Sequence, residues 1–72
     1  MDTREYTVIA PDGTTKTLAM WPEDRLTPKM ARRALRACFG RDGATGQVYD
    51  YGAGYGYRVY KRSARKVEAP SQ

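Results

Sequence analysis

Seventy-two residues carry 13 Lys and Arg against 8 Asp and Glu, a formal charge of +5, with one cysteine, no histidine and 40% apolar content. A chain of this length forms one small domain and buries only about 60% of the surface its unfolded form exposes. The single cysteine excludes an internal disulfide, and the missing histidine removes the commonest general base and the commonest metal ligand. No apolar run approaches the roughly 20 residues of a membrane span. An N-terminus bearing Asp2 and Glu5 does not read as a signal peptide. The expected protein is a small basic module of the cytoplasm that engages no membrane.

The charge is unevenly placed. Residues 1–26 hold Asp2, Glu5, Asp12, Glu23 and Asp24 against Arg4, Lys16 and Arg25, a net of −2. Residues 27–72 hold ten basic residues against Asp42, Asp50 and Glu68, a net of +7.

In chain order, Glu5–Ala10 and Thr15–Met20 are rich in β-branched and aromatic residues. Between them lies Pro11-Asp12-Gly13-Thr14, where proline presets φ and glycine tolerates positive φ, so this segment predicts a hairpin. Trp21–Leu26 reads as a loop that Trp21 and Leu26 anchor to the core. Thr27-Pro28 is a helix start, a hydroxyl N-cap followed by proline, and Gly40 is a helix stop. Within the predicted helix over 28–39, Met30, Ala31, Ala34, Leu35, Ala37, Cys38 and Phe39 cover one broad side. Lys29, Arg32, Arg33 and Arg36 fall within an arc of about 100° on the other.

Arg41–Gly46 reads as a flexible connector. Gln47–Tyr51 and Tyr55–Tyr60, joined through Gly52-Ala53-Gly54, predict a second hairpin. Lys61–Lys66 reads as a basic run, and 67–72 as a disordered tail after a single domain over 1–66. The fold class is therefore α+β in ββαββ order, an antiparallel sheet from two hairpins with the helix packed on one face. Its expected core is Val8, Leu18, Trp21, Leu26, Met30, Ala34, Leu35, Cys38, Phe39, Val48 and Val59, with Ile9 or its neighbour supplying the other face. One helix covers one side of a sheet, so the opposite side must be solvated, paired in a dimer or used for binding.

Enzyme templates fail. A nucleophile paired with histidine is impossible, Cys38 falls on the apolar side of the helix, and the carboxylates are scattered. Gly52-Ala53-Gly54-Tyr55-Gly56 lacks the spacing of a phosphate loop and leads into a strand where such a loop would open a helix. The expectation is a protein without catalysis, cofactor or metal.

Five of the six tyrosines lie within residues 49–60, interleaved with glycine and arginine. Such a strand pair can stack nucleobases at about 1–3 kcal/mol per base. Gly54-Tyr55-Gly56-Tyr57-Arg58-Val59-Tyr60 resembles the ribonucleoprotein-signature strand of RNA-recognition-motif domains, with Ala53 in place of its basic residue and Arg58 in place of a buried valine. The resemblance covers eight residues; it implies stacking by Tyr55 and Tyr57 and nothing about the fold. Register decides what the tyrosines do. A three-residue loop, favoured because Ala53 resists positive φ, sets Tyr51 opposite Tyr55 and Tyr49 opposite Tyr57. A two-residue loop sets Val48 opposite Val59 and exchanges the faces. Tyrosines that merely complete the core are the plainer alternative.

Four outward cations are also what a solvated helix face looks like. Yet this helix contains no acid, and like charges three and four residues apart cost a few tenths of a kcal/mol each, roughly. That pattern suggests an anionic partner. The leading expectation is a nucleic-acid-binding protein, for DNA or RNA. Lys29, Arg32, Arg33 and Arg36 would grip phosphates, Lys61, Arg62, Arg65 and Lys66 would clamp the backbone, and Tyr55, Tyr57 and Arg58 would stack or reach a groove. The alternative is a small interaction module, an inhibitor or adaptor of phage or mobile-element type, that binds an acidic host-protein surface. A homodimer through an exposed edge strand is compatible with both.

Overall fold

The computed structural model describes residues 3–70. The first hairpin pairs Arg4–Ile9 (β1) with Thr15–Met20 (β2), in a register running from Ile9 opposite Thr15 to Arg4 opposite Met20. Its turn closes as the local chemistry dictates. Gly13 takes φ 92°, the Ala10 N–H donates to the Thr14 carbonyl at 2.8 Å, and the Asp12 Oδ1 accepts from the Thr14 N–H at 2.9 Å.

Helix α1 spans Pro28–Phe39; the Thr27 hydroxyl oxygen accepts from the Met30 N–H at 3.2 Å. Gly40 ends it at φ 61°, its N–H donating to the Arg36 carbonyl. The stretch expected to be a flexible connector is instead a 3₁₀ turn over Gly40–Ala44 that doubles back on the helix. At Gly43 a Cβ would lie 2.1 Å from the Leu35 carbonyl oxygen, so only glycine lets the chain pass so close.

Three further strands follow: Gly46–Asp50 (β3), Tyr55–Val59 (β4) and Ala64–Glu68 (β5). They complete a five-stranded antiparallel sheet in the order β2-β1-β3-β4-β5, with the helix entering the chain between β2 and β3. This is the small α+β domain in ββαββ order that the sequence predicts, with one strand added at the end. The added strand β5 lies where only a basic run was expected, because charged side chains such as Arg65 and Lys66 mark an edge strand as readily as a tail. The domain boundary expected at residue 66 falls inside it. Of the predicted tail, Val67 and Glu68 belong to β5, and residues 71 and 72 lie outside the described residues.

The core lies between α1 and one face of the sheet. Val8 stands opposite Val48, and Val48 opposite Tyr57. Around that row close Tyr6, Met20, Leu26, Ala31, Ala34, Leu35 and Val59, with Leu18, Met30, Cys38 and Phe39 half-buried at the margin. Trp21, expected in the core, is 55% exposed; it follows the end of β2, and Leu26 alone anchors that loop by full burial. Tyr6 and Asp50 are buried without having been expected there.

Neither predicted register of the second hairpin is correct. Asp50 stands opposite Tyr55 across a four-residue turn, Tyr51–Gly54. The cause is Asp50 itself. Its carbonyl accepts from the N–H groups of Ala53 and Gly54 at 3.2 and 2.9 Å, and its Oδ1 accepts again from Ala53 at 3.1 Å. Gly54 supplies the positive φ of 82°.

On the face away from α1, Tyr49 stands opposite Gly56, where a Cβ would lie 2.2 Å from the Val48 carbonyl oxygen and 2.5 Å from the Tyr49 ring. Gly56→Ala is therefore expected to destabilise the fold by about 3 kcal/mol. Gly52→Ala, whose Cβ meets nothing nearer than Asp50 Oδ1 at 3.6 Å, should stay within about 0.5 kcal/mol of the parent in urea denaturation. Equal midpoints for the two variants would contradict this packing.

Candidate functional site

The sheet has two faces with different chemistry. Because cross-strand partners share a face, Arg58 and Arg65 stand directly opposite each other, next to Gln47 and Ile9, on the side away from the helix. Tyr57 and Lys66 alternate with them and lie on the helix side. The four residues Tyr60–Ser63 join the strands, with Lys61 and Arg62 at the turn and the Tyr60 N–H donating to the Ser63 carbonyl at 2.7 Å to close it. The β4–β5 hairpin thus carries Arg58 and Arg65 on one face, Lys66 on the other, and Lys61 and Arg62 at its tip. All five are exposed, as are Lys29, Arg32, Arg33 and Arg36 on α1. The helix cations lie where 3.6-residue periodicity puts them, opposite Ala31, Ala34 and Leu35, which are buried on the sheet.

Among the described residues the one ion pair is Arg4 with Asp50, both outside these groups. Nine predicted cationic site residues therefore face water with no carboxylate partner. The structure distributes them over two surfaces, the outer side of α1 and the β4–β5 hairpin.

The tyrosines expected to stack do not reach the surface together. Tyr57 is 8% exposed and lies in the core. Tyr55 is half-buried on the same side; its hydroxyl donates to the Leu26 carbonyl at 2.7 Å, its ring meets Tyr57 edge-on with centroids 5.9 Å apart, and Lys66 Nζ sits 4.6 Å from its centroid. Both rings complete the packing under the helix, the plainer of the two alternatives. On the open face Tyr49 fills the gap over Gly56 and is itself buried, its hydroxyl donating to Gln47 Oε1, while Tyr51 leans on it at 5.7 Å between centroids. No aromatic platform results. Among the described residues the large exposed aromatics are Trp21 and Tyr60.

Comparisons with protein-family models, with curated proteins and with solved structures find no match for this chain. The chemistry of the site must therefore be read from its own residues. Among the described residues no three Asp, Glu or Cys side chains lie together as metal ligands would, and no helix is long and apolar enough to cross a membrane. A cleft of about 470 Å³ at the end of the sheet mixes Asp12 and Asp42 with Arg41 and Lys61 around Phe39 and Pro11, so it favours neither sign of charge.

Burial raises the tyrosine pKa values at two core positions. Tyr6 is pushed above its ordinary value chiefly by loss of solvent and secondarily by Cys38; Tyr57 is pushed up by loss of solvent and then by Tyr55. Asp12 is held below its ordinary value by the hydrogen bonds it accepts from Thr14. A tyrosine whose folded pKa lies above its unfolded value stabilises the fold fully below the unfolded pKa, and that stability is lost as pH rises through the folded one. Urea midpoints are accordingly expected to fall above about pH 10. The fall should be shallower in a Tyr6→Phe/Tyr57→Phe variant, and parallel pH profiles for variant and parent would refute the assignment.

Proposed function

We propose that this chain is a non-catalytic nucleic-acid-binding protein whose contacts are made by arginine and lysine to phosphate. The observation that carries the reading is the placement of Arg58 directly opposite Arg65, with no acid between or beside them. Like charges facing each other across a ladder are unfavourable, as are those three and four apart on α1. Arrangements that oppose folding are tolerated where a partner supplies the missing countercharge. A polyanion does so, and each phosphate neutralised adds the entropy of a released counterion.

The withdrawal of Tyr55 and Tyr57 into the core removes stacking from this function and leaves charge and shape. Affinity then depends steeply on salt. With four phosphates neutralised, raising salt from 50 to 200 mM should weaken binding roughly a hundredfold, because log K falls with a slope of about −0.9 per phosphate. Replacing Arg32 and Arg36 by Ala should lower that slope by about one for each phosphate that is no longer neutralised. Fluorescence anisotropy on a labelled oligonucleotide reads both quantities. No binding at 50 mM, or binding indifferent to salt, would overturn the function. Polyglutamate competing as well as the oligonucleotide would point to an acidic protein surface instead.

A further inference from the structure

We infer that β2 is a self-association edge: two copies of this chain pair it antiparallel about Thr17 and join their sheets into one. The inference is independent of the nucleic-acid reading above, which makes no use of β2.

An edge strand presents backbone groups that another strand can satisfy. The sheet order leaves two such edges, β2 and β5. Which groups of β2 face outward follows from its turn. The Ala10 N–H donates to the Thr14 carbonyl, and hydrogen-bonded pairs alternate from there. Lys16, Leu18 and Met20 therefore aim their N–H and C=O groups at β1. Those of Thr15, Thr17 and Ala19 aim away from it, and among the described residues no loop backbone bonds to them.

The two edges are built differently. β5 carries Arg65, Lys66 and Glu68, the kind of charge that blunts pairing. β2 keeps an unbroken register with β1, contains no proline and bears a single charge, Lys16. That charge does not guard the edge. Lys16 Nζ donates to the Cys38 carbonyl at 3.1 Å and lies 5.5 Å from the Phe39 ring centroid, turned back over its own helix. The loop after β2 leaves the edge open too: the Asp24 carbonyl accepts from Arg4, which draws the chain inward toward β1. Helix α1 packs chiefly over β1, β3, β4 and β5, so two helices stand clear of each other when the sheets meet at β2.

Self-complementarity argues for a second copy as the occupant and for Thr17 as the centre. The outward groups lie on Thr15, Thr17 and Ala19 alone, so a regular ladder pairs these residues with one another. Centring on Lys16 would set two lysines face to face. Centring on Leu18 would set Thr15 opposite Trp21, whose carbonyl already accepts from the Asp24 N–H at 3.0 Å. Centring on Thr17 sets Thr15 opposite Ala19 and Lys16 opposite Leu18, and every outward group finds a partner. Charge agrees with this edge. Two copies of a +5 chain repel, and pairing at β2 keeps Arg58, Arg65 and Lys66 at the far ends of the joined sheet. The pairing also closes on itself, because each copy spends its open edge and leaves the charged β5 outward.

Sedimentation equilibrium between about 10 µM and about 1 mM tests this, since a dimer fraction rises with concentration. The mass is expected to climb from 8.1 kDa toward twice that value. Over the same range, amide exchange at Thr15, Thr17 and Ala19 should slow at least fivefold, while that of Lys66 on β5 stays constant. Thr17→Pro removes the central outward donor without touching the bonds to β1 and should remain monomeric, with its tyrosine circular dichroism unchanged. Thr17→Lys, a second variant that sets like charges face to face, should associate at least tenfold more weakly and recover in high salt. Lys66→Pro is the control at the other edge and should associate like the parent. A chain still at 8.1 kDa at about 1 mM would overturn the dimer and leave the edge to an extended segment of another protein. Thr17 variants that associate like the parent, or loss of association in Lys66→Pro alone, would overturn it as well.

Discussion

The architecture turns on the carboxylate of Asp50. It is the one charged residue buried among those described, 1% exposed, and it is held by the Arg4 guanidinium and by the backbone of its own turn. Removing a carboxylate from water costs several kcal/mol, roughly, unless its oxygens are all engaged. The site that engages them is therefore singular. Arg4 reaches it from the start of β1 and also donates to the Asp24 carbonyl at 3.1 Å, drawing the loop before the helix into the same knot. Three separate parts of the chain are thus fixed by one anion: the first strand, the approach to α1, and the turn between β3 and β4.

The consequence runs down the second hairpin. With Asp50 opposite Tyr55, the alternation of β4 puts Tyr55, Tyr57 and Val59 under the helix and Arg58 outside. A slip of one residue would reverse every face and carry Arg58 toward Leu35 and Val8. The buried ion pair therefore acts less as a source of net stability than as a selector of register. The exposed arginines owe their exposure to a carboxylate some distance away on the other side of the sheet's turn.

Legibility in the sequence follows the range over which each signal acts. The first hairpin and α1 are decided locally, by Pro11-Asp12-Gly13 and by Thr27, Pro28 and Gly40, and they read correctly. The second register is set by the Asp50 side chain and carbonyl capping the turn to Ala53 and Gly54, a local signal that a loop length judged from Ala53 alone passes over, and Arg4, 46 residues away, adds a contact no local pattern announces. Strand β5 was hidden because Arg65 and Lys66 blunt an edge while pairing normally along its inner side. Trp21 misled by its size: just past the end of β2 it lines only a shallow cleft with Met20 and Met30 and stays more than half exposed. Of the candidate site, the cations were legible because helical and strand periodicity alone place them outside. The tyrosines were not, because their faces depended on the register.

The exposure of Trp21 has a practical side. It is the chain's single tryptophan, and in the folded protein its indole already meets water. Emission from a ring more than half exposed changes less on unfolding than that of a fully buried one, so the indole is a weak reporter of the core. The tyrosines are in the reverse position: Tyr6 and Tyr57 are shielded, and Tyr55 and Tyr57 are locked edge-to-face. The optical signature of the native state thus resides in phenol rings, and the indole is free to act as a local beacon at the corner remote from the arginine hairpin.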